Sequence, residues 1–296
     1  MPEAIDLLKK MRLSLFVLYN SKPIIQQFET YLNNNLKALD KQLELDVVQV
    51  GNDFASTKYV GIKQKLGSKL GIKVNKFLYQ DGVDKSKILT QRDEKSKPHD
   101  GLIFQLPIPT YLEQLVSQIP TYKDIDLLGQ GKYELWRQGF LSPTVGAIDL
   151  VLKDMFDVNN NLEDKLSQKL NLQGKVVAVI GQGKLVGSPL LGYLESRSAS
   201  IISLNKFTSN PQELCKLGDV VVSAAGKPNL VNKEWIKSKS IIIDASTSEE
   251  NGSLVGDVDY TNMREDIMLC PSPNGIGKLT VLYLFYNLLK LHTRKI

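Results

Sequence analysis

The sequence predicts an α/β protein of two domains, with a Rossmann-type parallel sheet in the second domain. The chain has 296 residues, which is long enough to bury two hydrophobic cores. Residues 176–180 form an unbroken apolar run rich in β-branched side chains, as in strands covered on both faces of a parallel sheet. A glycine-rich turn and then a helical pattern follow directly. This order of strand, turn and helix indicates one unit of a doubly wound sheet.

Three glycines in that turn indicate a phosphate-binding loop. Gly181 permits the tight turn, Gly183 lets the backbone approach a pyrophosphate, and Gly187 allows the following helix to pack closely. We expect the helix to begin near Ser188, with Pro189 in its first turn, where a missing N–H has no cost. The N–H groups of the helix N-terminus then face the anion. The alternative is a glycine turn that binds nothing.

The first half of the chain alternates between helical and strand patterns. The predicted elements are a helix over 23–42, a strand over 43–50, a helix from a cap at Ser56 to Gly71, a strand over 72–79 and a strand within 100–109. The last strand is stopped by two prolines and carries Gln105 near its carboxyl end, where open α/β sheets hold their ligands. The lysine-rich stretch 85–97 is predicted to hold at most a short helix and a surface loop.

The second half repeats this alternation, and it defines the predicted domains. The predicted elements are a helix over 144–156, a polar connection over 157–173, strands at 176–180, 200–204, 220–223, 241–244 and 268–270, a turn at 256–259, a loop at 271–277 and an apolar helix over 280–291. We expect this last helix to pack back on the first domain. The predicted domains are therefore residues 1–147, completed by a helix at about 279–296, and residues 148–278.

Composition excludes several classes of function. The net charge is +5, but the lysines are scattered rather than clustered with aromatic residues, so we expect no nucleic-acid partner. Cys215 and Cys270 lack metal-ligand spacing, and His99 and His292 are the only histidines, so we predict no metal site and no Ser-His-Asp triad. The apolar run at 13–19 is too short to span a bilayer, which predicts a cytoplasmic protein without a membrane partner.

Six blocks of the sequence resemble one family, the methylenetetrahydrofolate dehydrogenases/cyclohydrolases. The blocks appear in the family's order and span nearly the whole chain: Ser56-x-x-Tyr59-Val60-x-x-Lys63, residues 100–109, Lys123-Asp124-Ile125-Asp126, residues 181–189, Gly256-Asp257-Val258-Asp259, and the loop from Pro271 to Thr280. The resemblance implies a homodimer of two-domain α/β subunits.

The resemblance also implies roles for four side chains of the first domain. Lys63 matches the family's catalytic lysine, Tyr59 the aromatic residue that orients the folate, and Gln105 the glutamine that bonds the lysine. Asp126 matches the carboxylate that accepts N–H groups of the pterin. A lysine in a pocket can exchange a proton near neutral pH, and a glutamine can hold it without raising its pKa. The alternatives are a surface pair of Tyr59 and Lys63, a satisfied Gln105 and a turn-forming Asp126.

The remaining binding residues follow from the same blocks and, for Lys206 and Thr247, from two further segments that match the family. Besides those four side chains, the substrate site is expected to include Leu106, Pro107, Pro271, Pro273, Gly275 and Gly277. The cofactor site is expected to include Gly181, Gln182, Gly183, Lys184, Leu185, Val186, Lys206 and Thr247.

The chain departs from the family pattern at several of these positions. Gln182-Gly183 stands where Arg-Ser is usual, and 205–208 reads Asn-Lys-Phe-Thr where His-Ser and a threonine are usual. Leu127 and Asn274 replace glycines, and Lys278 replaces a proline. The family's Pro-Cys-Thr-Pro-x-Gly and Asp-Val-Gly-Ile become Leu141-Ser-Pro-Thr-Val-Gly146 and Asp244-Ala-Ser-Thr247.

The predicted cofactor is NADP, with NAD as the alternative. No acidic residue stands at Asn205 or Lys206, where an NAD-specific site would hold the ribose 2′-hydroxyl. Lys206 can offer a positive charge to a 2′-phosphate, although it lacks the fork of an arginine. An unrelated surface lysine is the alternative.

The resemblance implies oxidation of methylenetetrahydrofolate with NADP, followed by hydrolysis of the methenyl product to formyltetrahydrofolate. The alternatives are a dehydrogenase without the hydrolytic step, a dehydrogenase for another substrate such as shikimate, and a non-catalytic nucleotide-binding protein. The lysine and aspartate setting typical of shikimate dehydrogenases is absent, which argues against that alternative, and the joint presence of Lys63, Gln105 and Asp126 argues against a non-catalytic protein.

Overall fold

The computed structural model describes residues 16–89, 100–157 and 161–293. His99 and parts of the apolar run 13–19, the lysine-rich stretch 85–97 and the C-terminal segment 279–296 lie outside the described residues. Residues 85–89 are helical. No helix in the described ranges is long and apolar enough to cross a membrane.

A three-stranded parallel sheet lies in the first half of the chain, in the order β3-β2-β4. The elements of this half are β1 (Val17–Leu18), α1 (Lys22–Lys37), β2 (Glu44–Val50), α2 (Phe54–Leu70), β3 (Lys73–Tyr79), β4 (Gly101–Phe104), α3 (Glu113–Ser117), α4 (Lys132–Arg137) and α5 (Pro143–Met155). In β2 only the first residue is not buried, as expected for the central strand of a sheet with both faces covered.

A six-stranded parallel sheet, in the order β1-β11-β8-β7-β5-β6, combines five strands of the second half with the edge strand β1 of the first half. The elements of the second half are α6 (Leu162–Ser167), β5 (Val176–Ile180), α7 (Gly187–Glu195), β6 (Ser200–Leu204), α8 (Pro211–Cys215), β7 (Val220–Ser223), β8 (Ile241–Asp244), β9 (Ser248–Glu250), β10 (Ser253–Val255), β11 (Met268–Cys270) and α9 (Gly277–Thr293), of which β9 and β10 form a separate antiparallel pair. The predicted fold class, two α/β units with a Rossmann-type sheet in the second, is confirmed.

Several local predictions need correction. The helix α2 is capped by Asp53, whose carboxylate accepts the backbone N–H of Ser56 at 2.7 Å, so Ser56 is not the cap. The helix predicted over 23–42 ends at Lys37, and the polar connection 157–173 contains α6. The hairpin of β9 and β10 and the pairing of β1 with β11 were not predicted, because these strands have only two or three residues each.

The C-terminal helix α9 packs back on the first half of the chain, as predicted. It contacts α1, α2 and α5, and most of its length is buried. Gly146 permits the close approach of α5, because a Cβ atom there would lie 2.3 Å from the ring of Tyr283. Asn287 on α9 is fully buried, and its amide donates to the carbonyls of Ile125 and Leu141, at 2.9 Å each. The helix therefore fixes two loops of the first half.

A buried ion pair joins α5 to the second half of the chain. Lys153 Nζ lies 2.7 Å from the Asp149 carboxylate and 2.6 Å from the carbonyl oxygens of both Lys165 and Gln168. The Tyr193 hydroxyl of α7 donates to the same Asp149 carboxylate. Since both charges are almost fully buried, each needs its partner to offset the cost of desolvation.

Replacing Lys153 by Met tests how much this ion pair contributes to the stability of the fold. Lys153→Met should lower the free energy of unfolding by about 3–5 kcal/mol, because the Asp149 carboxylate is left buried without its cation. Lys216→Met is the matched control, since Lys216 pairs at 2.8 Å with Glu213 on an exposed helix and should cost less than about 1 kcal/mol. Urea unfolding measures both. Equal losses in the two variants would contradict the structural role of the buried pair.

Candidate active site

Lys63 and Gln105 meet at the carboxyl end of the first sheet. Lys63 lies on α2, and its Nζ donates to Gln105 Oε1 at 2.6 Å. Gln105 follows β4 directly, and Ser56 of α2 donates its hydroxyl to the carbonyl of Leu106 at 2.9 Å. The helix and the strand end are therefore tied together one residue beyond Gln105, which fixes the distance between the lysine and the amide.

The charge state of Lys63 follows from its surroundings. Burial lowers the pKa of Lys63 from 10.5 to about 8, and the Asp126 carboxylate opposes this shift by stabilising the ammonium. Burial also raises the pKa of Asp126 to about 6, while attraction to Lys63 lowers it and repulsion from Asp124 raises it further. Both side chains keep some exposed surface, so substrate and water can reach them. A lysine of this kind can give or take a proton near neutral pH.

Asp124 has a structural role in the loop that carries Asp126. Its buried carboxylate accepts the backbone N–H groups of Leu128 at 3.1 Å and Gly129 at 2.8 Å. These bonds close the turn around Asp126. Because the carbonyl of Ile125 is also held by Asn287, the loop is anchored on both sides of Asp126.

Tyr59 lies one helical turn before Lys63 and faces the loop 271–277. A Cβ atom added to Gly277 would lie 3.4 Å from the Tyr59 hydroxyl. Gly275 is required by the loop itself, because a Cβ atom there would lie 2.0 Å from the Pro271 carbonyl oxygen. Pro271 and Pro273 are partly buried on the same loop. The predicted substrate residues of both halves of the chain therefore lie side by side.

The glycine-rich loop after β5 has the form that a pyrophosphate requires. Gly181 has a φ of +94°, and a Cβ atom there would lie 2.4 Å from the carbonyl oxygen of Ala224. Gly187 packs against Gly181, while a Cβ atom on Gly183 would meet no atom within 4 Å. The helix α7 begins after Val186, which makes no side-chain capping bond; the Ser188 N–H donates to the Gly183 carbonyl at 3.1 Å, and Pro189 has no N–H. The loop therefore fits the phosphates of a dinucleotide.

The residues beyond the loop form a polar cluster in place of the family's arginine. Gln182 donates to the Ser203 hydroxyl at 2.6 Å and accepts from the Asn205 amide at 3.3 Å. Lys206 Nζ lies 5.0 Å from the centroid of the Phe207 ring, and Phe207 is 81% exposed. Lys206 is thus exposed at the end of β6 and free to reach an anion, whereas the Gln182 amide is held by its neighbours.

A cleft of about 940 Å³ lies between the two halves of the chain. It is lined by residues from both predicted sites, among them Leu106, Pro107, Gly183, Lys184 and Leu185. Lys184 crosses the cleft and pairs with Glu113 of α3 at 3.0 Å. Lys63 and Tyr59 do not line this cleft, but Leu106 and Leu127 of its wall directly follow Gln105 and Asp126 in the chain. The cleft therefore adjoins the lysine pocket.

Two departures from the family pattern fall on left-handed backbone. Asn274 has a φ of +77° and Leu127 a φ of +58°, at positions where the family has glycine. Asparagine tolerates this conformation well, so the loop shape is retained at Asn274. Leucine tolerates it poorly, and its buried side chain lines the cleft next to Asp126.

Sequence reasoning missed two groups that hold the site. One is Asn287, an ordinary-looking position in an apolar helix. The other is the pair of buried carboxylates at Asp244 and Asp257: Asp257 accepts the Ser223 hydroxyl at 2.7 Å and the Lys227 N–H at 2.7 Å, which closes the loop after β7. Burial raises the pKa of Asp244 to about 7, and Gly256 leaves room for its carboxylate. The sequence predicts a turn and a family block at 256–259, but neither signal indicates that the Asp257 carboxylate holds the loop after β7.

Fold and site together define a two-domain α/β protein with a lysine–glutamine–aspartate cluster at one sheet and a glycine-rich loop between a strand and a helix at the other. The family model described as tetrahydrofolate dehydrogenase/cyclohydrolase, catalytic domain, matches residues 19–126. The model of the NAD(P)-binding domain of the same family matches residues 163–296. The chain belongs to the tetrahydrofolate dehydrogenase/cyclohydrolase family, as the sequence blocks predicted.

Individual relatives agree with this assignment. The bifunctional protein FolD of Aquifex aeolicus is 31% identical over 284 residues, which are 93% of this chain and 93% of that protein. The protein of the same name from Clostridium perfringens is 28% identical over 272 residues, 89% of this chain and 93% of that protein. The crystal structure of the Trypanosoma brucei methylenetetrahydrofolate dehydrogenase-cyclohydrolase has a TM-score of 0.81 at 24% identity, over 95% of this chain and 99% of that one.

Proposed function

We propose that the protein oxidises methylenetetrahydrofolate to methenyltetrahydrofolate with NADP, and then hydrolyses the product to formyltetrahydrofolate. The observation that carries this proposal is the bond between Lys63 and the neutral amide of Gln105, beside Asp126. A nucleotide-binding protein without catalytic activity does not need a lysine whose pKa is lowered to about 8.

The first step depends on positioning. Tyr59 orients the pterin, and Asp126 accepts the pterin N–H groups, while the loop 271–277 lies against Tyr59 at the edge of the pocket. The cleft brings the residues next to Gln105 and those of the glycine-rich loop together, so that donor and acceptor carbons can meet. When bound, the nicotinamide supplies the hydride acceptor.

The second step requires proton transfer, which Lys63 can perform. Water that attacks the methenyl carbon must lose a proton, and a ring nitrogen must gain one before the ring opens. Neutral Lys63 can take the proton from water, and the resulting ammonium can give it to the nitrogen. Gln105 holds the lysine in both states, because its carbonyl oxygen accepts from either an amine or an ammonium.

The cofactor assignment rests on the loop and on Lys206. The glycine-rich loop fits a pyrophosphate, and the sheet end beside it carries a free cation but no carboxylate at 205 or 206. The Trypanosoma brucei enzyme, which shares this fold, is described as a complex with NADP. A 2′-phosphate would be held by Lys206 as a point charge, since Gln182 stands where the family has arginine.

The family resemblance supports three further proposals. The protein acts as a homodimer in the cytoplasm. The first domain comprises residues 1–147 with the C-terminal helix, and the second comprises residues 148–278. The packing of α9 on α1, α2 and α5 supports this division.

Replacing Lys63 by Met tests the proposed function. Lys63→Met should lower the rate of methenyltetrahydrofolate hydrolysis by about 100- to 10,000-fold, because the proton carrier is lost and the Asp126 carboxylate is assigned to the pterin N–H groups. Dehydrogenase activity should fall less, so that methenyltetrahydrofolate accumulates and can be followed by its absorbance. Lys65→Met is the control, since Lys65 is exposed on the same helix, and both rates should stay unchanged.

Hydrolysis at the unaltered rate in Lys63→Met would refute the role of this lysine. Accumulation of methenyltetrahydrofolate by the unaltered protein would instead favour a dehydrogenase without the hydrolytic step.

Replacing Lys206 by Ala tests the cofactor assignment. Lys206→Ala should raise the KM for NADP about tenfold, because one charged hydrogen bond to the 2′-phosphate is lost at an exposed site. The KM for NAD, which has no such phosphate, is the internal control and should not change. A strong preference for NAD that Lys206→Ala leaves unaltered would contradict the assignment.

A further inference from the structure

A chain of three hydroxyl groups links the two sheets beside the proposed substrate pocket. The Tyr59 hydroxyl of α2 lies 2.8 Å from Thr247 Oγ1, and Thr247 Oγ1 lies 3.3 Å from Ser272 Oγ. Ser272 in turn donates its hydroxyl to the carbonyl of Ser246. Tyr59 belongs to the first half of the chain, whereas Thr247, Ser272 and Ser246 follow β8 and β11 of the second sheet.

The direction of every hydrogen bond in this series of hydroxyl groups is fixed by its last acceptor, the Ser246 carbonyl. The Ser246 carbonyl can only accept, so the Ser272 proton points to it, and Ser272 Oγ must accept from Thr247. Thr247 then has no proton left for Tyr59 and must accept from the Tyr59 hydroxyl. The tyrosine hydroxyl is therefore held as a donor, and its oxygen can still accept a hydrogen bond.

Thr247 also lies where a ligand of the second sheet is expected. It follows the carboxyl end of β8, and doubly wound parallel sheets bind their ligands at that end. The strand β9, which begins at the next residue, contacts α2. The segment that carries Thr247 is therefore in contact with the helix that carries Tyr59 and Lys63.

We propose that Thr247 is a positioning residue that couples the two ligand sites: its hydroxyl orients Tyr59, so that a dinucleotide at the second sheet tightens the binding of folate at the first. This inference rests on the proposed function. The family's usual residue at this position is isoleucine, which has no hydroxyl. The coupling through Thr247 is therefore a feature of this protein that the usual family sequence lacks. By linkage, folate must tighten dinucleotide binding by the same factor.

The test compares Thr247→Val, which keeps the shape but lacks the hydroxyl, with Thr247→Ser, which keeps the hydroxyl. Calorimetry measures the Kd for tetrahydrofolate with and without saturating NADP, which needs no turnover. The tightening by NADP should decrease about 2- to 10-fold in Thr247→Val, as for loss of one hydrogen bond, and should be restored in Thr247→Ser. Tyr59→Phe should show the same decrease, and the double variant with Thr247→Val should show no further one.

Three results with the variants would overturn the proposal: the full tightening in Thr247→Val, an equal loss in Thr247→Ser, or additive losses in the double variant. An unaltered protein that binds tetrahydrofolate equally with and without NADP would also overturn it. An unaltered protein that does not bind tetrahydrofolate at all would refute the proposed function itself, so the two failures are distinguishable.

Discussion

The proposed site depends on one interaction, the hydrogen bond from Lys63 to a neutral amide. A carboxylate in place of Gln105 would hold the lysine charged, because an adjacent anion raises the pKa of an ammonium. The amide satisfies the buried nitrogen at 2.6 Å without adding charge, so burial is left to lower the pKa to about 8. Asp126, which interacts with the lysine without a direct hydrogen bond in this structure, limits that shift.

The rest of the fold holds this pair in place and brings a second sheet up to it. Ser56 ties α2 to the residue after Gln105, and Asn287 of α9 holds the carbonyls next to Asp126 and at Leu141. The buried Lys153–Asp149 pair and the hydroxyl of Tyr193 join α5 to α7, the helix that begins at the glycine-rich loop. Each link is a buried or partly buried polar bond, so each one fixes a geometry that hydrophobic packing alone would leave adjustable.

Most strands and long helices could be predicted because their signals are local. The runs at 176–180 and 220–223 became strands with those bounds, and the glycines after β5 proved necessary for reasons of space. The site residues came from the resemblance and from their positions at strand ends. Asn287 could not be found in this way, because it contacts backbone 162 and 146 residues away and carries no motif. The cap at Asp53 was not predicted because serine is also a common capping residue, and Ser56, whose N–H the Asp53 carboxylate accepts, was assigned the cap instead.

The central claim is that Lys63 changes its charge near neutral pH, and direct titration of its side chain tests that claim. Lysines labelled with ¹³C at Cε can be followed by NMR from pH 6 to 11, with the Lys63 signal assigned by its absence in Lys63→Met. The account predicts a midpoint near pH 8 for this one signal, which should move lower still in Asp126→Asn because the opposing carboxylate charge is gone. A midpoint at the ordinary lysine value of about 10.4 would contradict the account.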